Sequence, residues 1–127
     1  MNTILGIDPG LRVTGYGVIH QEKQNFTYES SGTIKTTQQD LDLAERIKII
    51  VTGIDEVIEK FNPSIVAIEK VFVNTNPQST LLLGQARGAA IAAIVSKEIN
   101  IYEYTALQIK KSVVGNGHAD KLQVQTM

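Results

Sequence analysis

Hydrophobic positions change their period twice along this chain. Residues 3–8 form an apolar run, Ile4-Leu5-Gly6-Ile7, that ends in Asp8. This composition predicts a buried strand with a carboxylate at its end. Residues 12–20 and, more loosely, 25–36 alternate apolar and polar. With the first run they predict an antiparallel meander of three strands. Pro9-Gly10 predicts a tight turn after Asp8, with Pro presetting φ and Gly supplying a positive φ. Gly15 and Gly17, inside the second strand, mark a bulge or a close approach to the backbone.

From residue 40 the spacing becomes helical. Asp40 is the expected N-cap, and Leu41, Ala44, Ile47, Val51, Ile54, Ile58 and Phe61 recur at three- and four-residue steps as one apolar face. Asn62-Pro63 stops that helix. Ser64–Glu69 is a short apolar strand directly after it, the order of a crossover returning a parallel strand, and it too ends in an acid, Glu69. Asn76-Pro77 opens a helix to about Lys97, with Asn as cap and Pro at the first helical position. Gly84, Gly88 and Ala92 leave one side of it nearly bare, which suits packing on a sheet or a contact between subunits. Ile99–Tyr104 is the fifth strand. Thr105 caps an expected helix through Lys110 and Lys111, Gly115-Asn116-Gly117 breaks it, and Asp120 resembles the cap of another. The expectation is one domain over 1–127 that stops part-way through an element at its C-terminus.

Composition narrows the chemistry. A length of 127 residues suits one domain. The net charge is −1, so a nucleic-acid face would have to come from local clustering of Lys and Arg. There is no Cys, which excludes disulfides, thiolate metal sites and a Cys nucleophile, and agrees with a reducing cytoplasm. No apolar run reaches the ~18 residues of a membrane span, and no signal peptide is evident at the N-terminus.

Two apolar strands far apart in sequence thus end in acids. If they are parallel neighbours, Asp8 and Glu69 meet at the carboxyl edge, where open α/β sheets bind ligands. Adjacent carboxylates repel, and a shared proton or a divalent cation relieves them. Mg²⁺ takes such oxygen ligands together with a substrate phosphate, and two such ions promote phosphodiester hydrolysis. The plainer alternatives stay open: Asp8 as a turn-former, Glu69 as a cap.

Ile4-Leu5-Gly6-Ile7-Asp8-Pro9-Gly10-Leu11-Arg12-Val13-Thr14-Gly15-Tyr16-Gly17, Ala67-Ile68-Glu69-Lys70-Val71-Phe72, Leu83-Gly84-Gln85-Ala86-Arg87-Gly88, Val113-Val114-Gly115, and Ala119-Asp120-Lys121 through Gln123-Val124-Gln125 together closely resemble the RuvC family of bacterial Holliday-junction resolvases. The resemblance runs in order along essentially the whole chain. It implies an α/β, ribonuclease-H-like fold: a five-stranded mixed sheet, three strands antiparallel and then parallel ones, flanked by helices. It implies a cytoplasmic, homodimeric, Mg²⁺-dependent endonuclease, with Mn²⁺ as substitute, that nicks two opposed strands of a four-way DNA junction and leaves 5′-phosphate and 3′-hydroxyl ends. The RuvA–RuvB branch-migration complex is the implied partner, and recombination and repair the implied setting.

Asp8 and Glu69 match the family's first two catalytic, metal-binding carboxylates. Phe72 matches an aromatic that stacks on bases near the cut, although a core Phe reads the same way. Lys110 and Lys121 match lysines that contact phosphate near the scissile bond, although a solvated face is the plainer account. Arg12 and Arg87 fall inside motif blocks without an assigned role. The family's dimer uses the helix expected over 77–97. Its last acidic pair, on a later helix, has no counterpart among these 127 residues. Asp120 matches a non-catalytic acid, and His118 matches no ligand. Competing expectations are a YqgF-like RNA nuclease, a sugar-kinase or actin-like ATPase, and a non-catalytic junction-binding form.

Overall fold

In the computed structural model, residues 2–38, 40–70 and 76–104 are described. Strands β1 (Asn2–Asp8), β2 (Val13–Glu22) and β3 (Asn25–Lys35) lead to helix α1 (Leu43–Phe61). Strand β4 (Ile65–Glu69), helix α2 (Pro77–Val95) and strand β5 (Asn100–Tyr104) follow. The sheet order is β3-β2-β1-β4-β5. β1 pairs antiparallel with β2, and β2 with β3, while β1–β4 and β4–β5 are parallel. This is the expected mixed sheet. The β2–β3 register shifts between Val18 and Ile19, leaving Glu29 as the extra residue, so the irregularity lies beyond Gly15 and Gly17.

One face of the sheet makes the core. Leu5 stands beside Val18 and Val66, and Ile7 beside Ile68. Onto them pack Ile50, Ile54, Val57 and Ile58 of α1 and Ala86, Ala90, Ala93 and Ile94 of α2, all buried. Strand alternation then places Asp8, one residue beyond Ile7, and Glu69, one beyond Ile68, on the opposite face.

Three expectations change. The N-cap of α1 is Asp42, not Asp40: Asp42 is extended and its side chain accepts from the Glu45 amide at 2.8 Å. Asp40 instead takes a left-handed φ of 65°, so the chain is still turning there. Leu41 precedes the helix and Ala44 is exposed, so the start of the expected face fails; Ile54 and Ile58 are buried and Val51 and Phe61 pack on the core as expected, joined by Ile50 and Val57. The side of α2 that packs is its alanine side. A Cβ placed on Gly84 or Gly88 would meet nothing within 4 Å, so the bare side faces away from the sheet. Close packing of this helix comes from alanines three and four apart, a pattern that the glycine spacing obscured. The helix stop at Asn62 stands as expected, in the left-handed conformation with its amide bonded to the Ile58 carbonyl. So does the Asn76 cap, whose side chain accepts from the Gln78 amide at 3.0 Å.

Candidate active site

The site grows from the pairing of β1 with β4. Their register is Ile4–Ile65 through Ile7–Ile68, so the next step along both strands brings Asp8 and Glu69 alongside each other. Both strands are apolar because they cross the core, and each becomes polar at the residue where it leaves. Asp8 is exposed and Glu69 partly buried. The Glu69 carboxyl is raised above its ordinary value of 4.5, first by burial and then by the charge of Asp8. Burial is the larger cause, and repulsion from the neighbouring Asp8 carboxylate adds to it.

The neighbouring strand leaves room beside them. Gly15 on β2 is opposite Asp8, and a Cβ there would lie 4.0 Å from the Asp8 Cβ. Two carboxylates beside an uncrowded glycine suit a hard divalent cation that keeps several waters. Among the described residues there is no group of three or more His, Cys, Asp or Glu able to hold a metal, so this pair is what those residues offer.

The turn after Asp8 is built differently from expectation. Gly10 does not take a left-handed φ. A Cβ on it would lie 2.3 Å from the Val13 carbonyl oxygen, so Gly is required by a close approach of backbone. Two buried hydroxyls, Thr14 (1% exposed) and Thr36 (fully buried), bond to this turn and escaped the sequence reading. The available signal was a threonine on the inward register of β2, where an apolar residue belongs.

Arg12 is exposed on the turn. Arg87 on α2 pairs with Glu103 of β5 at 2.6 Å. The bond from Arg87 holds the Glu103 carboxyl below its ordinary value, and the charges of Arg87 and Lys70 act in the same sense. Glu103 lies beside Ile68, and the next pair is Glu69 with Tyr104, so the ion pair ties α2 to the sheet one step from the acids. Phe72, Lys110 and Lys121 lie outside the described residues, as do His118 and Asp120.

A family model described as crossover junction endodeoxyribonuclease RuvC matches residues 4–127. A protein of that name from Janthinobacterium sp. (strain Marseille) is 60% identical over 124 residues, covering 98% of this chain and 68% of the relative. Its namesake from Colwellia psychrerythraea is 58% identical over 127 residues, covering 100% and 73%. Among solved structures, T. thermophilus RuvC in complex with Holliday junction substrate superposes with a TM-score of 0.81 at 29% identity, covering 98% of this chain and 75% of that one. The yeast mitochondrial Holliday junction resolvase Ydc2 shares the fold, with a TM-score of 0.69 at 15% identity.

Proposed function

Because this chain belongs to the RuvC family of crossover junction endodeoxyribonucleases, we propose that Asp8 and Glu69 are its catalytic acids and that it acts on four-way DNA junctions. The chain is a metal-dependent nuclease of Holliday-junction resolvase type. One observation carries the site assignment: parallel pairing of β1 with β4 sets the two carboxylates side by side on one face at the carboxyl ends of the strands. A cation held between the two acids would relieve the repulsion that Asp8 adds to burial in raising Glu69.

Asp8 and Glu69 would hold Mg²⁺, with Mn²⁺ as substitute. Bound there, the ion supplies activation of the attacking water and stabilisation of the leaving 3′ oxygen. Asp8 presents its oxygens from an exposed strand end, where a phosphodiester can reach them. Glu69 is more enclosed than Asp8. Phe72 stacks on bases near the cut, and Lys110 and Lys121 contact phosphates beside it. The acidic pair that the family carries on a later helix would complete the ligand set.

The enzyme works as a homodimer, one protomer per opposed strand, so that paired nicks leave 5′-phosphate and 3′-hydroxyl ends. The outward Gly84–Gly88 side of α2, with Leu81 at 62% and Val95 at 57% exposure, supports that helix as the dimer contact. The RuvA–RuvB complex is the proposed partner and the cytoplasm the proposed location. No helix among the described residues is long and apolar enough to cross a membrane.

A synthetic four-way junction, labelled on each strand in turn, tests this reading. In Mg²⁺, the protein should nick two opposed strands of the junction, and linear duplex of the same sequence should stay intact. Equal cutting of duplex and junction would overturn the junction assignment.

A further inference from the structure

The turn that follows Asp8 is gripped by two threonine side chains, one of them backed by an arginine, that no motif reading assigned. The Thr14 hydroxyl donates to the Gly10 carbonyl at 2.8 Å and accepts from the Gly10 amide at 3.2 Å. The Thr36 hydroxyl donates to the Leu11 carbonyl, and the Thr36 amide donates to the Arg12 carbonyl at 2.8 Å. Three consecutive carbonyls, at positions 10, 11 and 12, are thereby held from inside the protein. The Thr36 carbonyl in turn accepts from the Arg46 guanidinium of α1.

We propose that Thr14, Thr36 and Arg46 are positioning residues: together they fix the turn after Asp8, and so fix where Asp8 presents its oxygens to the metal. This rests on the reading of Asp8 as a metal ligand. The physical case is that a metal ligand is worth little unless its backbone is held, because the cation must otherwise order it on binding. Asp8 is exposed and has no side-chain bond of its own among the described residues, so its geometry depends on its backbone. Pro9 joins it directly to the segment that the two threonines hold. Both hydroxyls are buried, and each donates to a backbone carbonyl of the turn. Position 46 lies on a helix that Ile50 and Ile54 anchor in the core, so Arg46 connects the turn to that helix through Thr36.

Three variants and their conservative counterparts test the proposal: Thr14→Val and Thr14→Ser, Thr36→Val and Thr36→Ser, with Arg46→Gln and Arg46→Lys as the pair to decide the matter if the valine variants fail to fold. Mn²⁺ affinity of the 127-residue chain is read from water-proton relaxation, with Asp8→Asn as control and circular dichroism as the check on folding. The valine variants and Arg46→Gln should stay folded and bind Mn²⁺ about tenfold more weakly, as expected for residues that orient a metal ligand. The serine variants, which keep the hydroxyl, should recover most of that loss. Unchanged Mn²⁺ affinity in the Val and Gln variants, with binding abolished in Asp8→Asn, would overturn the inference and leave the site reading standing. Equal weakening by Val and Ser would also overturn it, since packing rather than the hydroxyl would then be responsible. Unchanged binding in Asp8→Asn would overturn the site reading itself.

Discussion

Without a cation, Glu69 holds its proton more tightly than an exposed glutamate does, because burial and the charge of Asp8 both disfavour its anion. A raised carboxyl value means that the folded state favours the protonated form. The stabilising contribution is fully present below the ordinary value of 4.5 and is lost as pH rises through the raised folded value. At neutral pH the charged Glu69 therefore burdens the metal-free fold. Glu69→Gln should raise Tm at pH 7 by a small amount, and the gain should vanish below pH 4.5. Scanning calorimetry of both proteins across that range checks it, and an equal Tm difference at pH 4 and pH 7 would contradict it. Both acids were legible in the sequence because each ends an apolar run. Thr14 and Thr36 were not, because their role depends on which carbonyls the folded turn brings to them. Gly10 was legible as an essential glycine but for the wrong reason: its close contact is with Val13, which only the folded turn reveals.

At the scale of elements, every strand and helix among the described residues was readable from period and punctuation, and the errors sit at ends and faces. Two aspartates precede α1, and propensity alone does not choose between them. The backbone does, since Asp40 is left-handed at φ 65° and Asp42 extended. Asp42→Ala should cost about 1 kcal/mol, as the loss of an N-cap bond does. Asp40→Gly should cost nothing or stabilise slightly, because glycine relieves a positive φ. Urea melts of the two variants separate the assignments, and a larger loss at position 40 would restore the earlier expectation. The apolar face of α1 packs as expected at Val51, Ile54, Ile58 and Phe61 and fails only at its start, because Leu41 and Ala44 matched the period before the helix had begun to pack. Ile54, 1% exposed at the centre of the true stripe, should cost about 2–5 kcal/mol on truncation to Ala.

For the molecule as a whole, the parallel return of β4 beside β1 decides everything downstream. It turns two acids 61 residues apart (positions 8 and 69) into neighbours. That return was legible from the order strand, helix, apolar strand. Which side of α2 faces outward was not, because glycine and alanine both allow close packing and only the sheet's position tells them apart. The proposed homodimer would give this outward side a purpose. Gly88→Glu should leave the isolated protomer as stable as before or more so, since a Cβ there meets nothing and glycine is a poor helix former. The same change should shift the sedimentation equilibrium towards monomer. A Gly88→Glu protein that stays dimeric would place the subunit contact elsewhere.

The central claim, that Asp8 and Glu69 share a cation, is tested most directly by amide resonances of the 127-residue chain during a Mn²⁺ titration. Line broadening should begin at residues flanking positions 8 and 69 together, and either Asp8→Asn or Glu69→Gln should remove it at both. Broadening that starts at one strand end without the other, or that survives both substitutions, would contradict a shared metal site.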